Sequence, residues 1–204
     1  MRYKNLYVLG GGGHAKVILD ALIKSGASVT GIIDPRLPLD SEVFGVRVTG
    51  GDELMATLDP QVNAIANGVG ATPKNFINKK LFEIWTASGF HFISVIHPSA
   101  IIGEQVVLHD GCQIMARVVL QPNVQIGMGS VINTASSIDH DCVIGQHCFI
   151  APSVTLCGGA TVGDNCFIGA GATLLPGITV GSQALIAAGA VVDKNIGEGE
   201  FFPR

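Results

Sequence analysis

The sequence predicts two domains, an α/β unit over residues 1–96 and a parallel β-helix over residues 97–204. Three observations carry this. Short apolar runs alternate with amphipathic stretches through the first half. A strict six-residue period begins after His97-Pro98 and persists to Val192. The 204-residue chain is also rich in glycine (27) and poor in aromatic (6%) and charged (14%) residues. That is the composition of a core of small aliphatic side chains with many tight backbone corners.

In the first half, LYVLG (6–10) reads as a short strand leading through GGG into HAKVILDALIKSG. That helix is expected to present Val17, Leu19, Ala21, Leu22 and Ile23 as its apolar face and to stop at Gly26. SVTGIID (28–34) and VNAIAN (62–67) follow as strands. Thr72-Pro73 supplies an N-cap and a first-turn proline for a helix through KNFINKKLFEIWTASG, ended by Gly89. Trp85 is assigned to the core and His97, at the junction, to a structural role. Such alternation calls for a small parallel sheet with helices on its faces.

Between the first strand and helix, Gly10, Gly12 and Ala15 fit GxGxxG/A, with Asp34 about 20 residues further on. A loop of this kind aims backbone N–H groups and a helix N-terminus at a phosphate. There is no second mononucleotide half, so the dinucleotide reading is weak and a diphosphate-bearing ligand remains. A plain strand-to-helix turn is the alternative. On the ligand reading, Gly11, Gly12, Gly13 and His14 meet the diphosphate or sugar and Asp34 the ribose or base, with Gly68 and Gly70 close by. Pro35, directly after Asp34, leaves base selectivity open.

In the second half, every sixth residue from Ile102 to Val192 is Ile, Leu or Val. Two places before each stands a residue that is nearly always small, such as Cys112, Ser130, Ser136 or Ala160, and glycine follows the aliphatic residue at 103, 127, 145, 163, 169 and 181. This is a hexapeptide repeat: three hexads make one triangular coil, with the large aliphatic in the core and the small residue in a tight interior slot. Cys112, Cys142, Cys148 and Cys166 all occupy that slot, where a thiol packs as a small hydrophobe; Cys157 alone lies elsewhere.

Unbroken register places residues 18 apart on successive coils, about 4.8 Å apart. The stretch IDHDC (138–142) then turns His140 outward at a corner, above Pro122 and below Gly158, Pro176 and Lys194. A histidine beside the open amide of a glycine suits acyl transfer, the imidazole taking a proton and the N–H stabilising an oxyanion. Lys194, roughly 14 Å along the column, suits a nucleotide phosphate or is a solvated lysine. His109, His140 and His147 are the candidates for metal ligation, but no two share a column, and no metal is expected.

The net charge of −4 gives no footprint for nucleic acid or anionic membrane. The apolar run near the start is too short for a signal peptide, and no stretch of 18 apolar residues occurs, so a cytoplasmic location is expected.

GGGGHAKV, IID, the HPSA junction, INT followed by DHDCVIG, and IAPSVTLCGG together make the chain resemble one family. It is that of the sialic acid O-acetyltransferases and the bacterial N-acetyltransferases acting on nucleotide-linked 4-amino sugars of bacillosamine or perosamine type. The resemblance implies a Rossmann-like N-terminal domain on a left-handed parallel β-helix, assembled as a homotrimer with acetyl-CoA in the groove between adjacent helices. It puts the catalytic histidine at His140, the orienting acid at Asp141, the oxyanion donor at the Gly158 N–H and a sugar contact at Asn133. Acetyl-CoA would meet Phe149, Gly158, Ala170, Ala188 and Lys194. Two departures stand out: Phe149 replaces a histidine that many members carry, with His147 two places earlier, and GEGEFFPR differs from the family's usual C-terminal segment. The implied reaction is N-acetylation of a nucleotide-linked 4-amino-4,6-dideoxy sugar for surface-glycan synthesis. O-acetylation of a sialic acid and non-catalytic nucleotide-sugar binding are the alternatives.

Overall fold

The computed structural model describes residues 3–73 and 76–203. They form two compact units, the first ending at Val95 and the second beginning at Ile96. The first contains β1 (Asn5–Leu9), α1 (Gly13–Lys24), β2 (Gly31–Ile33), β3 (Glu42–Val43), β4 (Val46–Gly50), α2 (Asp52–Met55), β5 (Asn63–Asn67), α3 (Ile77–Ala87) and β6 (His91–Phe92). Its sheet runs β3-β4-β2-β1-β5-β6, parallel except for the β3–β4 hairpin. β1 therefore has β2 on one side and β5 on the other. Strand order reverses there, at the end from which the glycine loop departs, where open α/β sheets bind ligands.

Side-chain alternation divides the sheet's two faces. Leu9, Ile33 and Ile65 join Met55, Phe82, Phe90 and Phe92 in one buried cluster, so α2 and α3 cover that face. Leu6, Val8, Ile32 and Ala64 turn the other way. There α1 closes tightly on β1: a Cβ on Gly68 would come within 2.8 Å of Val8 and 2.9 Å of Ala15.

Two helix expectations need correction. α1 buries Ala15, Ile18, Leu19, Ala21 and Leu22, whereas Val17 and Ile23 are exposed. The helix lies rotated from the expected face because Ala15 and Ile18 carry its contact stripe. α3 starts at Ile77 with Phe76 at its N-cap and no side-chain cap, so Thr72, in a β-bridge, and Pro73, in a turn, precede the helix and do not start it. Lys74 and Asn75, which the expected helix included, lie outside the described residues. Both glycine stops are present: Gly26 and Gly89 follow their helices with φ of 76° and 91°.

The second unit is a parallel β-solenoid of two-residue strands in three sheets of seven, six and five strands. Successive partners are 18 residues apart, as in Val119–Leu120 on Ser137–Ile138 on Thr155–Leu156. From Ile114 to Val192 every member of the aliphatic series is at most 1% exposed. In the small slot, Ser130 Oγ donates to the Gly145 carbonyl at 2.7 Å and accepts the Cys148 N–H at 2.9 Å, joining two coils. The slot thiols make the same kind of bond, Cys148 Sγ to Gly163 O at 2.9 Å and Cys166 Sγ to Gly181 O at 3.1 Å. Burial pushes the Cys112 thiol up to about 12, outside the range of thiolate chemistry.

Register changes once. Leu185 pairs with Phe201, 16 residues on, and Val180 bridges Ile196. The last coil has lost two residues at the corner holding Lys194, so the column through His140 is not regular at that level.

Ser130→Ala removes the shared hydroxyl and leaves a buried N–H and carbonyl without it. A loss of about 1–3 kcal/mol is expected, measured by denaturant unfolding; an unchanged midpoint would show that the slot tolerates any small residue.

Candidate active site

His140 and Asp141 sit on the corner between the strands Ser137–Ile138 and Val143–Ile144. Asp139 Oδ1 accepts the His140 backbone N–H at 2.8 Å and so caps the turn locally. Asp141 takes the left-handed corner position, φ 60°, which swings its carboxylate back toward the preceding residue. Asp141 Oδ2 lies 2.8 Å from His140 Nδ1, and its Oδ1 accepts an N–H from Asn123 Nδ2 at 3.0 Å. Both side chains remain more than half exposed, so the pair is open to a ligand. The bond to Asp141, helped by the charge of Asp139, raises the His140 pKa above its ordinary value. The same bond, followed by that from Asn123, lowers the pKa of Asp141.

With Nδ1 held by the carboxylate, Nε2 is the edge that faces outward chemistry. It lies over Gly158: a Cβ there would come within 2.7 Å of both Nε2 and Cε1. Any side chain at 158 would displace the imidazole, which accounts for glycine at this level. The Gly158 N–H donates to no acceptor among the described residues. That is a property of the column. Pro122 and Pro176 occupy equivalent positions, so the inter-coil ladder does not use this N–H. A basic nitrogen and a spare amide thus meet one coil apart, the arrangement that accepts a proton on one side of a reacting carbonyl and stabilises an oxyanion on the other.

The glycine loop of the first unit is held from within. Asp34 is 3% exposed, and its two oxygens accept the N–H groups of Gly11 and Arg36, each at 2.8 Å. Burial pushes its pKa up, but those bonds and the Arg36 guanidinium outweigh it, and the net shift is downward. Asp34 therefore pins the loop backbone, where the sequence suggested a ribose or base contact. Gly11 is buried under Leu37 and has spent its N–H. Gly12 and Gly13 are exposed, have no acceptor among the described residues, and begin a 12-residue helix with no side-chain cap and no acid in its first turn. They are the groups that can receive a phosphate. His14 is half-buried in the same turn, against Gly70.

Beside this loop a cleft of about 320 Å³ is lined by Gly10, Asp34, Arg36, Asp52, Leu81 and Trp85, among others. Trp85 both packs edge-on to Phe90 and lines this cleft, so the assignment to core alone is incomplete. Sequence reasoning also passed over Asn123. Its stacking on Asp141 follows from the same 18-residue column rule that placed Gly158 above His140.

The remaining candidates divide between corners. Asn133, Ala170 and Ala188 lie on the corners that follow the sheet containing Phe149–Ile150, while His140, Gly158 and Lys194 follow the next sheet. Ala170, Ala188 and Lys194 are exposed, and the Asn133 side chain accepts the Thr134 N–H at 2.7 Å. Phe149 is 9% exposed and stacks on Phe167 at 5.3 Å. His147 occupies a left-handed corner (φ 52°) outside the strand that holds Phe149, so strand alternation does not relate the two. Among the described residues no three histidine, cysteine or acidic side chains converge as a metal site.

Asp141→Asn removes the charge facing Nδ1. The His140 pKa is expected to fall, read by NMR titration of the imidazole; an unmoved titration would show that Asp141 does not govern the ring.

Residues 5–84 match the PglD N-terminal domain, residues 141–175 the bacterial transferase hexapeptide, and residues 159–194 the hexapeptide repeat of succinyl-transferase. A curated UDP-N-acetylbacillosamine N-acetyltransferase of Bacillus subtilis is 29% identical over 117 residues, a match spanning about half of that relative (52%). PerB of Caulobacter crescentus, solved with CoA and GDP-perosamine, is 33% identical with a TM-score of 0.88, covering 98% of this chain and 94% of that one. The acetyltransferase domain of PglB from Neisseria gonorrhoeae, solved with acetyl coenzyme A, is 30% identical with a TM-score of 0.90, covering 99% and 97%. Matched to these solved structures along nearly their whole length, the chain belongs to the hexapeptide-repeat family of nucleotide-sugar N-acetyltransferases.

Proposed function

We propose that the protein transfers the acetyl group of acetyl-CoA to the amino group of a nucleotide-linked 4-amino-4,6-dideoxy sugar, for surface-glycan synthesis. The observation that carries this reading is the His140–Asp141 pair set against the unused N–H of Gly158. The solved relatives support the substrate classes, since one holds CoA with GDP-perosamine and another acetyl coenzyme A.

The amine nitrogen attacks the thioester carbonyl carbon while His140 Nε2 accepts its proton. The Gly158 N–H stabilises the oxygen that becomes negative, and Asp141 stabilises the imidazolium through Nδ1. Collapse of the tetrahedral intermediate breaks the C–S bond, and the proton passes from His140 to the departing CoA thiolate. No bond to the protein forms. In the first unit, Gly12, Gly13 and His14 receive the diphosphate, with Asp34 holding the loop in shape.

Because Asn133, Ala170 and Ala188 lie on a different edge of the solenoid from His140, Gly158 and Lys194, a groove completed by an adjacent copy suits the site best. A homotrimer provides it, with acetyl-CoA running past Phe149, Ala170 and Ala188 of one wall and Gly158 and Lys194 of the other. No described helix is long and apolar enough to cross a membrane. A cytoplasmic reaction suits substrates of this kind.

His140→Ala is expected to lower kcat by about 10²–10⁴ with binding of both substrates kept, measured by thiol release from acetyl-CoA. Turnover at the wild-type rate would remove the base from the account. His140 must be neutral to accept a proton, and its pKa is raised; activity should therefore be lost as pH falls through a value above that of an ordinary imidazole. In Asp141→Asn that acid limb should move to lower pH, and an unmoved limb would assign it to another group.

A further inference from the structure

The left-handed corner position that holds Asp141 recurs on five successive coils: Gln105, Asn123, Asp141, Gly159 and Gly177, with φ of 59°, 65°, 60°, 71° and 69°. Residues in this column leave the corner in the same direction, one coil apart, at about 4.8 Å. Asn123 is the level directly below Asp141. Its Nδ2 donates to Asp141 Oδ1 at 3.0 Å, while Asp141 Oδ2 faces His140 Nδ1 at 2.8 Å. Each carboxylate oxygen thus has its own partner. Fixing both oxygens fixes the plane of the carboxylate, and with it the direction from which the imidazole is held.

We propose that Asn123 is a positioning residue for the acetyl transfer, acting through Asp141 to aim His140 Nε2 at the space beside Gly158. The left-handed backbone is not by itself the reason for asparagine, since glycine meets the same requirement at 159 and 177. The amide adds a donor where, among the described residues, the acceptor it reaches is the acid that orients the base. Its position suits the task chemically. An ammonium or guanidinium at 123 would neutralise Asp141 and weaken its hold on His140, and a carboxylate would repel it. A neutral donor orients the acid and leaves its charge to the imidazole.

This inference rests on the reading of His140 as the base, and the test separates the two. Asn123→Gly removes the side chain and suits the backbone conformation, avoiding the strain alanine would bring. In that variant kcat is expected to fall by about tenfold, the low end of what partners behind a positioned imidazole contribute, with KM for both substrates within about twofold. Without the amide's donation Asp141 holds the proton on His140 more strongly, so the NMR titration of His140 and the acid limb of kcat should both move to higher pH. In an Asp141→Asn background, Asn123→Gly should cost nothing more. Wild-type kcat and titration in Asn123→Gly would overturn the proposal. So would an equal loss in the Asp141→Asn background, or a loss confined to KM with the titration unmoved. The titration needs no turnover, so it tests the Asn123–Asp141–His140 chain even if His140→Ala stays active.

Discussion

Everything in the second unit depends on the hydrogen-bonded ladder between coils, in which a strand N–H meets a carbonyl one coil on, as in Gln121 to Ile138 and Asp139 to Leu156. Two-residue strands gain little individually, but each aliphatic in the six-residue series caps the one below, and the interior stays dry from Ile114 to Val192. The ladder sets where any side chain stands, because a single-residue slip would turn every core aliphatic outward. At Gly158 it also leaves an N–H unused among the described residues, and that donor is open to a ligand without disturbing the frame. His140 is held by its own corner, Gly158 by the next, Asn123 by the one before.

The site uses short-range geometry on this long-range frame. Left-handed corners are unfavourable for most residues, by roughly 1–2 kcal/mol each, and the solenoid contains many of them, including Asn123, Asp141 and His147. At Asp141 that conformation brings a carboxylate to bear on the neighbouring imidazole, so a feature of the turn becomes part of the chemistry. In the first unit a comparable arrangement holds the glycine loop. Buried Asp34 spends its oxygens on the backbone of Gly11 and Arg36, leaving Gly12 and Gly13 open at the start of α1.

Much of this is legible in the sequence because the period is strict. One sequence rule places Ile138 in the core, Cys142 in the small slot and His140 under Gly158, and the structure agrees at each position. The rule loses its hold at the last coil, where the core residue Ile196 follows Val192 after four places and Glu198 stands at the sixth, so the shortening begins just past the aliphatic series. Lys194 sits at that point. In the first unit, Asp34 was legible as important but not as structural, because which atoms a buried carboxylate meets depends on the fold of the loop. Asn123 could have been found by stepping back 18 from Asp141, a step the sequence permits. The rotated face of α1 and the late start of α3 reflect packing against a sheet whose register no short window specifies.

In the proposed reaction acetyl passes directly from the thioester to the sugar amine, without an acyl-enzyme, with His140 and the Gly158 N–H on either side of the carbonyl. Cys157, half-exposed and adjacent to Gly158, is the one nearby thiol outside the core slot that could carry the acetyl group instead. Initial velocities with both substrates varied decide between these. Direct transfer gives intersecting double-reciprocal lines and no mass increase on incubation with acetyl-CoA alone. Parallel lines, with an added acetyl group located on Cys157, would contradict it.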